Sequence, residues 1–269
     1  MINKPIVGVA ALIFVLAAGG VYYLKSRNTP LPAAPTAPAG TAPATGEPAI
    51  AHPLPDASGS AAASGPVPDL ANSDLPLRDA LAQVGGADAV KNYLVPEDVI
   101  RRMVVTIDNL PRQKVAVDKR PVNATAGSFA ADGDELQSTL NQRNFERYKP
   151  LVAVIRKLDM QQLGAVYIHF YPLFQQSYQN LGYPNGYFND RLVEVIDVML
   201  ATPDPKGPIK LVRPNVMYTF ADPALEARPA GQKLLIRMGP ENAQAIKAKL
   251  TELRTVVTAA PLKHQKDPQ

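Results

Sequence analysis

Nineteen consecutive residues without a charge, Ile6 to Leu24, constrain this chain more than any other feature. A helix rises about 1.5 Å per residue, so the run covers roughly 28 Å, close to the hydrocarbon thickness of a bilayer. It closes on Tyr22 and Tyr23, with Lys25 and Arg27 just beyond, as suits a helix end in the headgroup region. A signal peptide has a shorter apolar core, about 7–15 residues, before a small-residue cleavage site. Ala17-Ala18-Gly19-Gly20 offers such a site, but apolar character resumes with Val21-Tyr22-Tyr23-Leu24. A buried core helix would carry a polar face, and this run has none. Residues 1–27 therefore read as an uncleaved single-pass transmembrane anchor, with the lipid bilayer as partner of Ile6 to Leu24.

Orientation is less sharply written. Lys4 flanks one end and Lys25 with Arg27 the other, which leans slightly against export of the C-terminus. Long domains translocate largely regardless of such charges. The composition of the next segment favours export. We expect an inner-membrane protein with its C-terminal domain in the periplasm; the same domain on the cytoplasmic side is the open alternative.

From Asn28 to Asp69 the composition changes. These 42 residues hold ten of the 27 prolines, twelve alanines, three acids and no lysine or arginine. So few large apolar side chains cannot offset the entropy of ordering, and the prolines bias the chain to extended polyproline II. At about 3.1 Å per residue the reach is at most roughly 130 Å. Residues 28–72 read as a disordered Pro/Ala-rich linker holding a domain away from the bilayer.

Residues 73–258 then make one α-rich globular domain of ordinary size, and 259–269 a polar tail. The net charge of +4 lies wholly beyond residue 70, where 25 Lys and Arg face 21 Asp and Glu. An excess this mild is solvated surface charge and gives no reason to expect nucleic acid. With no cysteine, disulfides, thiolate metal sites and a cysteine nucleophile are excluded.

Periodicity predicts a mainly α domain (α+β class). Ser73 or Asp74 caps a short helix ended by Gly85-Gly86, and Ala87 to Leu94 follows. Pro96 opens an amphipathic helix to Asn109, with Val99, Ile100, Met103, Ile107 and Leu110 at helical spacing. Arg112 to Arg120 reads as a basic loop or short strand, and Pro121 to Gly133 as loop. A helix runs from Leu140 to Leu158 with a break at Pro150. Asp159 caps the next, whose apolar stripe is Leu163, Val166, Tyr167, Phe170, Phe174, Tyr178 and Leu181, with a bend at Pro172. Tyr183-Pro184-Asn185-Gly186 is a tight turn, after which Asn189 caps a helix facing inward through Leu192, Ile196, Met199 and Leu200. Lys210 to Phe220 and Gln232 to Met238 read as a small antiparallel β-hairpin. Gly239-Pro240-Glu241 opens the last helix, to Val257.

Chemistry is sparse. His52, His169 and His264 are far apart, and Ala165 and Leu173 occupy the positions four residues either side of His169. No helical zinc pair exists, and neither a metal nor a cofactor is expected. Asp190, Glu194 and Asp197 are spaced four and three apart, stacking three carboxylates on one helix face. Such a face can hold a cation or raise one carboxyl for proton transfer, but solvation and pairing with nearby bases, Arg191 included, is the commoner outcome. The N-terminus opened by Gly239 suits an anion, yet Glu241 already supplies the negative charge. Nucleophile motifs are absent. Eight of the seventeen Phe and Tyr fall between Tyr167 and Phe188. Most fill the core, whereas Tyr171, Tyr183 and Tyr187 lie off the stripe or in the turn and can line a groove for a sugar or a peptide. Asn189 and Asp190 have structural reasons for their positions, but Arg191 sits in the first turn of a helix against the dipole. We place it in the same groove, giving a candidate binding surface of Tyr171, Tyr183, Tyr187, Asn189, Asp190 and Arg191.

Several blocks in order resemble a bacterial family known as domain of unknown function 3014. They are Ile107-Asp108-Asn109-Leu110, Tyr171-Pro172-Leu173-Phe174-Gln175-Gln176, Leu181-Gly182-Tyr183-Pro184, Phe188-Asn189-Asp190-Arg191, Ala230-Gly231-Gln232-Lys233 and Arg237-Met238-Gly239-Pro240-Glu241-Asn242. The resemblance spans Leu75 to Val257. It implies a single-pass protein of Gram-negative bacteria and supplies no activity, cofactor or catalytic residue. The favoured reading is a non-enzymatic envelope protein whose domain binds another protein or a cell-wall polymer. An envelope hydrolase or transferase using Asp190, Glu194 and Asp197 is the alternative.

Overall fold

The computed structural model describes residues 49–55, 65–134, 138–214 and 217–258. The Ile6–Leu24 run, most of the linker and the polar tail lie outside them. Among the described residues no helix is long and apolar enough to cross a membrane.

The N-terminal part of the domain is built by helices that cap one another. After a 3-10 turn at Leu70–Asn72, α1 spans Asp74–Gly85 and α2 Ala87–Tyr93. Neither Ser73 nor Asp74 caps α1 with its side chain. The Ser73 hydroxyl donates to Leu70 O. The Asp74 carboxylate accepts the N–H groups of Asp98 and Val99, both at 2.8 Å, where α3 (Val99–Asn109) begins. That helix starts three residues later than Pro96 predicts. Asp98 turns left-handed, with φ 55°, and so delivers two backbone donors to the distant carboxylate. The inward positions Val99, Ile100, Met103, Ile107 and Leu110 are all buried, as the spacing predicts.

Three long helices form the centre. α4 (Arg143–Arg156) runs unbroken through Pro150, and α5 (Met160–Asn180) through Pro172. The Asp159 side chain caps α5, accepting from the N–H groups of Gln161 and Gln162. The stripe from Leu163 to Tyr178 is buried, but Leu181 is 38% exposed and ends it. α6 spans Phe188–Leu200. The last helix, which begins behind Pro240 and runs to Val257, lies against α4, α5 and α6. Its approach to α5 is set by Gly164, where an added Cβ would stand 2.2 Å from Val256 Cγ1. At that distance only glycine lets the two backbones meet.

The sheet departs from expectation. β1 (Ala131–Asp132), β2 (Ser138–Leu140), β3 (Lys210–Val212) and β4 (Thr219–Phe220) form an antiparallel sheet in that order. The register pairs Ala131 with Leu140, Ser138 with Leu211 and Leu211 with Phe220. Lys210 to Phe220 is thus a hairpin within itself. A short helix, α7 (Pro223–Glu226), follows. Gln232 to Met238 is no strand: it belongs to α8 (Ala230–Met238), with α9 (Pro240–Val257) after it. The reason is burial on two sides. Leu234, Leu235 and Met238 join the main helical core, while Ile236 joins a second cluster of Leu140, Leu211 and Phe220 under the sheet. A helix wedged between two cores loses its polar face, and the sequence pattern then mimics a buried strand. The domain is mainly helical with a small four-stranded antiparallel sheet.

Candidate functional site

The turn between α5 and α6 closes by a hydrogen bond from Gly186 N to Tyr183 O, 3.0 Å. It stacks the Tyr183 ring on Tyr178 with centroids 4.5 Å apart and planes 19° from parallel. α6 begins at Phe188, one residue before the position where Asn189 could cap it, and Tyr187 stands at the N-cap without capping the helix through its side chain. The cap comes from the neighbouring helix. Gln175 Oε1 accepts from Phe188 N at 2.8 Å and from the Tyr171 hydroxyl at 2.9 Å, and its Nε2 donates to Gly186 O at 2.7 Å. Asn189 is fully buried and fully used elsewhere. Its Oδ1 accepts from the Tyr167 hydroxyl, while Nδ2 donates to Val257 O and His52 O. Burial pushes both the Tyr167 and Tyr171 hydroxyls well up, so they act here as neutral donors.

The His52 contact belongs to a docked segment. Ile50 to Leu54 crosses the start of α6, where the Asp190 carboxylate accepts from Ala51 N at 3.1 Å and from His52 N at 2.6 Å. Leu54 N donates to the Tyr187 hydroxyl at 3.3 Å, and the Leu54 side chain packs on the main core. The reading of residues 28–72 as spacer throughout therefore fails at this point. An isolated Leu between prolines carries little weight in composition, but here it packs on the core while Asp190, Asn189 and Tyr187 bond the backbone of residues 51, 52 and 54.

Beside the docked segment lies an open cleft of about 320 Å³, lined by Asp108, Tyr178, Tyr183, Tyr187, Asp190, Arg191 and Glu194. Its floor is an ion-pair network. The Asp108 side chain is only 2% exposed and Arg191 16%. Arg191 reaches Asp108 Oδ1 through Nε at 3.1 Å, Asp108 O through a terminal nitrogen at 2.7 Å, and Glu194 at 2.8 Å. Asp108 Oδ2 also accepts from Arg112 at 2.6 Å and from the Tyr183 hydroxyl at 3.3 Å. Burial alone would lower the Arg191 guanidinium; its bond to Glu194 and the Asp108 charge outweigh that and hold it above its ordinary value. Burial first, then the Asp108 charge, pushes the Tyr178 phenol up to about 12.

Four of the six expected residues, Tyr183, Tyr187, Asp190 and Arg191, line one cleft. Tyr171 and Asn189 do not: both are buried behind it and hold the turn and the docked segment in place. The carboxylates Asp190, Glu194 and Asp197 do not act together. Each has its own partner: the Ala51 and His52 amides, Arg191, and Arg254, respectively. Arg254 grips Asp197 at 2.7 and 3.0 Å and holds its carboxyl below the usual range. Among the described residues no cluster of three His, Cys, Asp or Glu could hold a metal ion. Sequence reasoning missed Asp108 and Gln175. The signal for Asp108 was an acid set between the inward positions Ile107 and Leu110.

A family model for "Protein of unknown function (DUF3014)" matches residues 99–254, and the chain belongs to that family. No curated protein and no solved structure matches it.

Proposed function

We propose that this family member is a membrane-tethered binding module: an inner-membrane helix at Ile6–Leu24, a Pro/Ala-rich tether, and a periplasmic domain that engages another protein through the Tyr183–Tyr187–Arg191 cleft. The observation that carries the reading is that a short chain segment, bent at Ala51 and His52, already lies across the start of α6, held through its backbone by Asp190, Asn189 and Tyr187. Side chains that satisfy main-chain groups beside half-buried tyrosines are the equipment of a peptide receptor. A protein partner suits it better than a wall polymer for that reason. The hydrolase alternative finds less support, since Glu194 pairs with Arg191, Asp197 with Arg254, and Asp190 accepts two backbone N–H groups, so the three acids do not converge on one point.

The test is a photo-crosslinking amino acid at Tyr183 in the intact protein, in cells. A discrete protein adduct that vanishes when the crosslinker is moved to Lys157, on the C-terminal end of α4, supports the reading. Labelling at both positions alike, or none at Tyr183, overturns it. Resistance to carbonate extraction and an active periplasm-dependent reporter after Gln269 are the expected results for anchor and topology. A soluble mature form starting near Gly20 would remove the anchor, and an inactive, well-expressed fusion would put the domain in the cytoplasm.

A further inference from the structure

We propose that the place where α4 and α8 meet the small sheet is a binding site for a phosphate group, received by the Arg237 guanidinium, with the Tyr148 hydroxyl as a further donor and Arg147 as a second positive charge. The site goes beyond the binding-module reading and does not depend on it. Arg237, on α8, lies against β4, its guanidinium carbon 4.6 Å from the centre of the Phe220 ring. Among the described residues it makes no hydrogen bond and no ion pair. Glu226 is the acid whose charge acts on it, yet both Glu226 oxygens are taken, Oε1 by Lys233 Nζ at 2.8 Å and Oε2 by Phe220 N at 2.9 Å. Arg191 offers the contrast. Despite its burial, Glu194 and Asp108 hold it above its ordinary value, whereas burial lowers Arg237 and the Glu226 and Tyr148 charges do not restore it. A charge drawn out of water without a partner is costly, and an anion would relieve that cost.

Tyr148 supplies the second observation. Its side chain is buried, at 6% exposure, and its hydroxyl has no hydrogen-bond partner among the described residues. Burial raises the phenol, so it stays a neutral donor, while the Arg147 and Arg237 charges both act on it. Arg147 lies over the same ring, its guanidinium carbon 5.9 Å from the centre. Its nitrogens bond neutral oxygens, Ala126 O, Asn144 Oδ1 and Thr125 Oγ1, which hold the group in place without cancelling its charge. Among the described residues the side-chain polar atoms both sealed from water and unpartnered are Arg78 Nε and Thr106 Oγ1. The unpartnered Arg237 nitrogens and Tyr148 oxygen are therefore open to a small solute. Stacking on Phe220 uses the flat face of the Arg237 guanidinium and leaves the paired donors of its edge free, a fork that matches two oxygens of one anion. A second positive charge nearby favours a doubly charged phosphate over a carboxylate.

The experiment titrates the full chain, in a neutral detergent, with inorganic phosphate, acetate and glycerol 3-phosphate at constant ionic strength, read by calorimetry and thermal melting. The expected result is saturable phosphate binding, about tenfold or more tighter than acetate, with a rise in melting temperature. Arg237→Met should abolish it and, without phosphate, melt no lower than the unaltered chain, because it removes an unpaired charge and keeps an apolar stem on Phe220. Tyr148→Phe, which keeps the ring in the core, should weaken phosphate by about threefold or more. Arg101→Met, on the first turn of α3 where its guanidinium bonds Asp98, should bind phosphate as the unaltered chain does. Equal affinity for phosphate and glycerol 3-phosphate assigns the site to the phosphate group itself; a preference of about tenfold for the ester assigns it to a lipid-type head group. Circular dichroism confirms the fold of each variant, and Tyr148→Phe decides if Arg237→Met does not fold. Absence of saturable phosphate binding, acetate bound as tightly, or a loss in Arg101→Met equal to that in Arg237→Met overturns the proposal. So does phosphate binding that survives in folded Arg237→Met or is unweakened in Tyr148→Phe.

Discussion

Replacing Asn189 by Ala separates two accounts of the same residue. As a helix cap it would contribute about 0.5–2 kcal/mol. The structure gives it a larger task, because its side chain satisfies the Tyr167 hydroxyl at 3.1 Å, Val257 O at 3.0 Å and His52 O at 2.9 Å. Tyr167 and Val257 are buried, at 3% and 0% exposure, so water cannot replace the lost bonds there. Each buried group left without a partner costs about 1–3 kcal/mol. His52 O is nearer solvent and adds less. The expected loss is about 3–5 kcal/mol, measured as the shift in urea midpoint at constant slope. A cycle with Tyr167→Phe sharpens the test. Once the hydroxyl is gone, Asn189→Ala should cost about 1–2 kcal/mol less, a coupling typical of residues sharing a bond. A loss below about 2 kcal/mol with no coupling to Tyr167 would refute the account and return Asn189 to a capping role.

Three further outcomes are expected. Gly164→Ala should destabilise by about 1–3 kcal/mol through the clash with Val256, and Val256→Ala in the same chain should recover most of it; a neutral Gly164→Ala would mean that α5 and α9 slide apart freely. Asp108→Ala should cost about 3–5 kcal/mol by leaving the half-buried Arg191 guanidinium short of a counter-charge, and Arg191→Met added to it should restore part of the loss, which thermal melts of the three variants will show. Acid should weaken the fold through Asp159 and Asp197. The α5 cap bond from Gln162 N and the Arg254 bond hold these carboxyls below the usual range. Groups lowered on folding add stability above their unfolded value of about 3.9 and lose it as pH falls through the folded one. An Asp159→Asn, Asp197→Asn double variant should therefore lose less stability between pH 6 and pH 3, and an acid limb parallel to the unaltered protein's would refute this.

Local signals determined much of this domain from the sequence alone. The spacing of Val99, Ile100, Met103 and Ile107, the stripe from Leu163 to Tyr178, the Asp159 cap, the Tyr183–Gly186 turn and the Gly239-Pro240 start each depend on residues within a turn or two of one another. A propensity or a capping bond of that range is present in the sequence before any folding occurs. What only the tertiary structure decided involves partners far apart in the chain. Asp74 caps a helix 24 residues away, and Gln175 caps α6 from α5. Arg191 lines the cleft with the tyrosines as its charge conflict with the helix dipole suggested, but the carboxylate that resolves the conflict is Asp108, 83 residues earlier. α8 looked like a strand because two cores bury it from opposite sides, and no window of sequence shows a second core. The docking of Ile50–Leu54 was hidden for the same reason: composition averages over a segment, whereas four hydrogen bonds and one leucine depend on a surface that exists only once α5, α6 and α9 have packed.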